Sequence, residues 1–182
     1  MELIHGGVIL RTWTVADAGA LARIADNPRI AENLRDSFPS PYYLKDARKW
    51  IRSIIRTDPP CNFAILYEGE VAGNIGLLPK DNIYRKNIEI GYFIEERLWG
   101  RGLASAAVAA VTGYAFRYFD VLRIYAETFS DNAGSRKALE NAGFRLEAVL
   151  HKAILKNNVV RDACIYSVLR EDYEDPGVRI NA

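Results

Sequence analysis

The segment Ile88–Ala110, IEIGYFIEERLWGRGLASAAVAA, constrains this chain more than any other stretch. Its first part, Ile88 to Ile94, has the β-branched and aromatic composition of a strand. A charged loop with two glycines follows, Glu95 to Gly102, and then an alanine-rich run with high helix propensity. Strand, loop and helix in that order put the glycines at a helix N-terminus. Gly100 and Gly102 lack Cβ atoms, so the backbone there can take positive φ and come close to a ligand. The first N–H groups of the helix lack intrahelical partners and the macrodipole concentrates positive charge on them. Arg97 and Arg101 add full charges beside them, which makes phosphate the natural guest. Behind the loop, Ala104, Ser105, Ala106 and Ala107 are small enough to let the helix lie close to a sheet.

Spacing separates the known phosphate-loop patterns. The Walker pattern G-x-x-x-x-G-K-[ST] is absent from the chain. The dinucleotide fingerprint would place Ser105 at its third small position and needs an acidic residue ending the next strand. Asp120 lies near that offset but precedes the strand. What remains is Arg97-x-x-Gly100-x-Gly102 after an apolar strand. A second constellation follows at Asn132 to Phe144, reading N-x-x-S-x-x-x-x-E-x-x-G-F with Ser135 at its fourth position. Two such signatures, in this order and separated by a strand, resemble the GNAT superfamily of N-acetyltransferases. With the closing hairpin through Arg161–Ser167, the pattern is most similar to the RimJ/RimL branch.

That resemblance implies a fold and a site. The fold is a mixed α+β domain with a mostly antiparallel central sheet flanked by helices. The strand ending at Ile94 and the strand near Tyr125 would splay apart, and the pantetheine arm of acetyl-CoA would pair with the backbone of Tyr92, Phe93 and Ile94 like an added strand. Arg97, Gly100, Arg101, Gly102 and Leu103 would hold the pyrophosphate. Asn132 would bond the pantetheine or cap its helix, and capping alone accounts equally well for its position. Ser135 would stand beside the sulfur; a thiol of this kind has a pKa near about 8.5, so a hydroxyl suits hydrogen bonding to the departing thiolate better than strong acid catalysis. Its alternative is a helix-start serine bonding its own backbone.

Glu89 is the candidate base. An unpaired carboxylate in an apolar strand is costly, so it must face a polar cavity, a cation or solvent. It could accept an amine proton, directly or through water, or form a cross-strand pair with a lysine or arginine. The resemblance implies a protein N-terminal α-amine as acceptor, whereas nothing in the residues selects it over a small-molecule amine. Phe38, Tyr42 and Tyr43, with Glu32 and Asp36, could line an acceptor groove or simply anchor a loop. A non-catalytic acyl-CoA sensor and a nucleotide-binding regulatory domain are rivals from other classes.

Composition bounds the rest. A chain of 182 residues suits one domain, expected over residues 1–170, with 171–182 as a charged surface tail. Lys+Arg 24 against Asp+Glu 23 gives no global field to recruit nucleic acid or a membrane surface. Two distant cysteines and two histidines offer no metal-ligand spacing, and no apolar run approaches the roughly 18 residues of a membrane span. The expectation is a cytoplasmic protein without a metal, with acetyl-CoA and an amine as partners and a homodimer left open.

Along the chain, strands are expected at 8–13, 62–67, 71–78, 87–94, 122–128, 144–155 and 159–169. Helices are expected from the Thr14–Asp17 capping box to about Asn27, over 29–34, from 44 to about 56, over 103–118 and over 133–141. Glu68-Gly69 and Lys156-Asn157-Asn158 carry hairpin signals.

Overall fold

The computed structural model describes residues 1–181. Its strands are β1 (Glu2–His5), β2 (Val8–Thr12), β3 (Asn62–Tyr67), β4 (Glu70–Pro79), β5 (Asn87–Ile94), β6 (Arg123–Phe129), β7 (Arg145–Lys156), β8 (Val159–Leu169) and β9 (Arg179–Asn181). The helices are α1 (Ala18–Ala25), α2 (Pro28–Ala31), α3 (Leu44–Ile54), α4 (Leu103–Tyr118) and α5 (Ala133–Asn141). The strands form one sheet in the order β7-β8-β6-β5-β4-β3-β2-β1-β9. Neighbours are antiparallel except β5 and β6, so this is the mixed, mostly antiparallel α+β fold expected.

Strand alternation divides the core into two layers. Along β3, Phe63 and Ile65 join the cluster packed on α4, while Ala64 and Leu66 join the cluster on α1, α2 and α3. Helix α4 is buried along most of its length, including Ala106, Ala107, Ala110, Val111 and Tyr114. Its alanines permit the close seating that their size suggests: a Cβ built on Gly6 would lie 2.8 Å from that of Ala106. Helix α3 instead buries a single face, Ala47 and Ile51, with Trp50 packed edge-on to Trp13 at 5.8 Å.

The hairpin turns follow their chemistry. Glu68 and Gly69 both have positive φ, as a two-residue turn demands, and so do Asn157 and Asn158. Asn158 thus adopts, at φ 61°, the left-handed conformation that asparagine tolerates better than most residues with a Cβ.

Three stretches differ from the sequence expectation. The first strand is preceded by another, β1, which turns back through Gly6-Gly7; four residues are too few to display a period. The expected helix over 29–34 is only the one turn of α2, with Pro28 inside its first turn and Asn27 accepting from the Arg29 N–H. The charged tail is docked. Tyr173 packs on Phe116 at 5.0 Å, Val178 is buried, and β9 pairs with β1. Strand β1 would otherwise expose a row of unpaired backbone groups, and that edge orders a segment whose composition reads as solvated.

Glycine at 73 is a packing requirement where β4 meets β5. A Cβ there would stand 2.2 Å from the Phe93 carbonyl oxygen and 3.1 Å from Ile94 Cα. Backbone cannot move aside as a flexible side chain can. Gly73→Ala is expected to destabilise the protein by about 1–3 kcal/mol or more, read as a lower urea midpoint at unchanged m-value.

Candidate active site

Strands β5 and β6 pair only over Asn87–Arg123, Ile88–Ile124 and Glu89–Tyr125. Beyond that point β5 runs on to Ile94 and β6 to Phe129 with no further pairing between them, and a cleft of about 780 Å³ opens in the gap. Its walls are Ile90–Ile94 of β5 and Ala126–Thr128 of β6, the loop and first turn from Leu98 to Ser105, the start of α5, and residues 29, 30 and 32–34 around α2.

Hydrogen-bond parity shows which groups β5 offers to the cleft. Leu77 of β4 donates its N–H to Cys61, on the far side from β5. The Leu77–Ile90 pair is therefore a non-hydrogen-bonded one, and so, by alternation, are Ile75–Tyr92 and Gly73–Ile94. Tyr92 and Ile94 consequently direct their peptide groups away from β4, toward the gap. The Ile94 carbonyl is occupied by the Trp99 indole N–H at 2.8 Å. The Tyr92 N–H and C=O are left as an open strand edge.

At the mouth of α4, Gly100 and Gly102 both have φ of +77°, a region that costs any residue with a Cβ. A Cβ on either would meet no protein atom within 4 Å, so the space beside them is free for a ligand. The first intrahelical bond runs from Ala106 N–H to the Gly102 carbonyl, so the Leu103, Ala104 and Ser105 N–H groups stand ahead of it. Arg101 lines the cleft beside them. Open glycines, unpaired helix N–H groups and a cation together fit the pyrophosphate of a CoA-type molecule, and the Tyr92 edge fits its amide-containing arm.

Arg97 is placed elsewhere. It is exposed, lies outside the cleft lining, and its Nε contacts Glu95 at 2.9 Å. Burial opposes the ionisation of Glu95, but Arg97 and Arg23 outweigh it and hold the carboxyl below its usual range. With Asn27 and Arg29 bonded to Glu96 at 2.8 and 2.5 Å, and Arg29 stacked 5.3 Å from Trp99, these contacts brace the glycine loop against α1 and α2.

Ser135 and Tyr92 come together. The Ser135 hydroxyl and the Tyr92 hydroxyl are 2.9 Å apart, and both line the cleft. Burial pushes the Tyr92 phenol up to about 12, so it is a neutral hydroxyl at any physiological pH. Asn132 caps α5 by accepting from the Ser135 N–H at 3.0 Å. That bond accounts for its position without a ligand, while fixing the turn that aims Ser135.

Glu89 is not brought to this pair. Strand alternation puts it on the opposite face from Tyr92, buried, with its carboxylate bonded to Arg35, to Lys80 at 2.6 Å and to the Tyr125 hydroxyl at 3.4 Å. Of the two roles open to it, cation pairing is the one its surroundings display. Among the aromatic loop residues, Phe38 stacks on Tyr42 at 5.1 Å and on Phe93 at 5.7 Å, and Tyr42 is buried, so these two anchor the loop. Tyr43 is exposed at the start of α3. Asp36 meets Lys156 at 2.7 Å, and Glu32 lines the cleft. His151 is exposed and paired with Asp162 at 3.0 Å. Sequence reasoning missed Arg29, Glu127, Lys137 and Arg161 as cleft residues. For Glu127 a signal existed: it breaks the apolar face of a strand only if Tyr125, Glu127 and Phe129 share the side away from Ala126.

Residues 8–145 match the family model of the acetyltransferase (GNAT) domain. The chain belongs to the GNAT acetyltransferase family, whose reaction is acetyl transfer from acetyl-CoA. It is 34% identical over 177 residues to an uncharacterized N-acetyltransferase, YoaA, of Bacillus subtilis, covering 90% of this chain and 93% of that protein. It is 28% identical over 150 residues to the putative ribosomal N-acetyltransferase YdaF of the same organism, covering 82% and 76%. In fold it resembles a GNAT-family acetyltransferase of Bacillus anthracis, with a TM-score of 0.81 at 21% identity over 94% of this chain and 99% of that one. Mycobacterium smegmatis RimJ, solved in complex with CoA-disulfide, gives a TM-score of 0.81 at 23% identity over 94% and 87%.

Removing the Glu89 carboxylate leaves Lys80 and Arg35 facing each other without their anion. Arg35 is 62% exposed and Lys80 30%, so both can turn to water. Glu89→Ala is therefore expected to cost about 1–3 kcal/mol, below the ~3–5 of a wholly buried pair, measured by urea unfolding.

Proposed function

We propose that this protein acetylates a primary amine by direct attack on the thioester of acetyl-CoA, and that the acceptor is a protein N-terminal α-amine. The observation that carries the reading is the Tyr92–Ser135 hydroxyl pair set at the point where β5 and β6 have parted. A direct-transfer site needs a hydrogen-bond donor beside the leaving sulfur and a backbone donor beside the developing oxyanion. Ser135 supplies the first. Tyr92, holding Ser135 with its side chain and presenting its N–H to the gap, supplies the second. Gly100, Arg101, Gly102 and Leu103 hold the pyrophosphate, with Arg97 acting on the loop through Glu95. Acetyl-CoA contributes the activated acetyl group, and the protein's share is orientation and charge stabilisation.

The preference for an N-terminal amine has support in the relatives, since YdaF carries the name putative ribosomal N-acetyltransferase. Among the structural neighbours, RimL is described as an α-N-protein acetyltransferase of ribosomal L7/L12. The deciding measurement is thiol release from acetyl-CoA with a panel of peptides of varied N-termini, spermidine and an aminoglycoside. Turnover restricted to the small amines would move the acceptor to that class. No turnover with any amine, alongside intact acetyl-CoA binding, would leave only a sensor.

Two substitutions test the assignments separately. Ser135→Ala should lower kcat within the roughly 10²–10⁴-fold scale of proton-transfer catalysis while acetyl-CoA affinity holds; an unchanged rate removes Ser135 from the mechanism. Gly102→Val places a branched side chain at φ +77° and in the free space beside the helix start, so acetyl-CoA affinity itself should fall in calorimetric titration. Equal affinity would refute the pyrophosphate loop.

A further inference from the structure

We propose that the outer face of α3 is a docking surface for the phosphate backbone of double-stranded RNA. None of the side chains concerned lines the cleft, so this surface is separate from the acetyl-transfer site.

The near-balance of Lys+Arg 24 against Asp+Glu 23 holds for the chain as a whole and hides a local imbalance. From Lys45 to Arg56 the chain carries Lys45, Arg48, Lys49, Arg52 and Arg56 against a single acid, Asp46. At about 100° of turn per residue, Lys45, Arg48, Lys49 and Arg52 project within an arc of about 100°, and Arg56 stands in the turn just after the helix. All of these cations are exposed. Opposite them, Ala47 and Ile51 are buried and Trp50 packs on Trp13, so α3 lies flat on the domain with its charges outward. Asp46 is outside the arc, and its carboxylate accepts from the Tyr43 N–H at 2.9 Å.

The cations of this face are also unspent. Elsewhere on the surface, arginines and lysines are neutralised in pairs, Arg11 with Asp17, Lys86 with Asp120 and Arg123 with Glu147. Among the described residues, none of Lys45, Arg48, Lys49, Arg52 and Arg56 has an ion pair or a side-chain hydrogen bond. Like charges three and four residues apart on a helix repel one another and weaken it. An anionic partner removes that repulsion.

Charge alone suits several polyanions, and the rest of the face selects among them. A helix bound at a membrane surface keeps its apolar face for the bilayer, whereas that face of α3 is already used by the core. A protein partner is gripped by aromatic or apolar anchors at the centre of the contact, where lysine is disfavoured, and the arc holds no such anchor. Single-stranded nucleic acid is held by stacking its bases on aromatic platforms, which the arc also lacks. Reading DNA requires an element that enters the major groove, and α3, packed lengthwise on the domain, projects only side chains. Duplex RNA fits the face that remains. Its wide, shallow minor groove is recognised by shape and by contacts to phosphates and 2′-hydroxyls, which a flat row of arginines and lysines can supply.

The experiment is fluorescence anisotropy of the full chain with a short labelled RNA duplex across a salt series. Neutralising about four or five phosphates gives a slope near about −4 for the logarithm of the association constant against that of salt, a fall of roughly 10²–10³-fold between about 50 and 200 mM. Combining Lys45→Gln, Arg48→Gln, Lys49→Gln and Arg52→Gln should bring the slope to about −1 without lowering Tm or acetyl-CoA affinity. Arg52→Gln alone should reduce its magnitude by about 1, and Arg52→Lys should leave it as in wild type. A wild type that does not bind the duplex at low salt, or duplex binding that survives the combined substitution, overturns the surface. Equal or tighter binding to a DNA duplex of the same sequence, to anionic lipid vesicles or to polyglutamate overturns RNA as its occupant.

Discussion

Everything at the cleft depends on where the single parallel strand pair ends. The sheet is continuous until Glu89 and Tyr125, and at that fork the Glu89 carboxylate is held by cations from two directions, Arg35 after α2 and Lys80 after β4. A bare carboxylate at this depth would carry a desolvation penalty of several kcal/mol, so the carboxylate and its cations require one another. The result ties the loop after α2 to the sheet at the point where the strands part. The neighbouring residue, Asp36, ties the same loop to Lys156 near the β7–β8 turn. Two adjacent residues, Arg35 and Asp36, thus fasten this loop to β5 and to the end of β7.

The two faces of the sheet then divide the chemistry. On the α4–α5 side lie the helix start that can hold phosphate and the Tyr92–Ser135 pair. On the α1–α3 side lie Glu32, Glu127 and the aromatic anchors Phe38 and Tyr42. Strand alternation enforces this division, because β5 sends Tyr92 one way and Glu89 and Gly91 the other. The peptide of Tyr92 points along neither face but into the gap, the position from which it can serve a substrate threaded between the layers. The loop that carries Gly100 and Gly102 is braced by Glu95, Glu96 and Trp99, through an ion pair to Arg97 and hydrogen bonds to Asn27 and to the Ile94 carbonyl.

The extent to which this was legible in sequence differs by residue, for physical reasons. β5, α4 and α5 were readable almost to the residue, because each carries a strong local signal: a β-branched run, an alanine-rich helix behind a glycine, an asparagine cap and a glycine stop. β1 and β9 were not readable, since each is held by its neighbour and neither has a length that shows a period. The role of Arg97 could be read only from its charge and place in a motif; its rotamer answers to Glu95, two residues away in sequence and brought into reach by the turn between them. The sequence marks Glu89 as a carboxylate needing a partner, yet its partners, Lys80 and the sequence-distant Arg35, are set by the fold.

The sequence alone determined that a strand, a glycine loop and a helix start would form an anion site, and that a serine-bearing helix would follow it, because backbone conformational freedom and helix polarity are local properties. Only the tertiary structure decided which carboxylates are spent on ion pairs and which face the cleft, where β5 leaves β6, and that Ser135 answers to Tyr92. These are matters of register and of contact between distant segments. A shift of one residue in pairing would exchange the two faces of β5, and no local pattern records on which side of the sheet a side chain must finally stand.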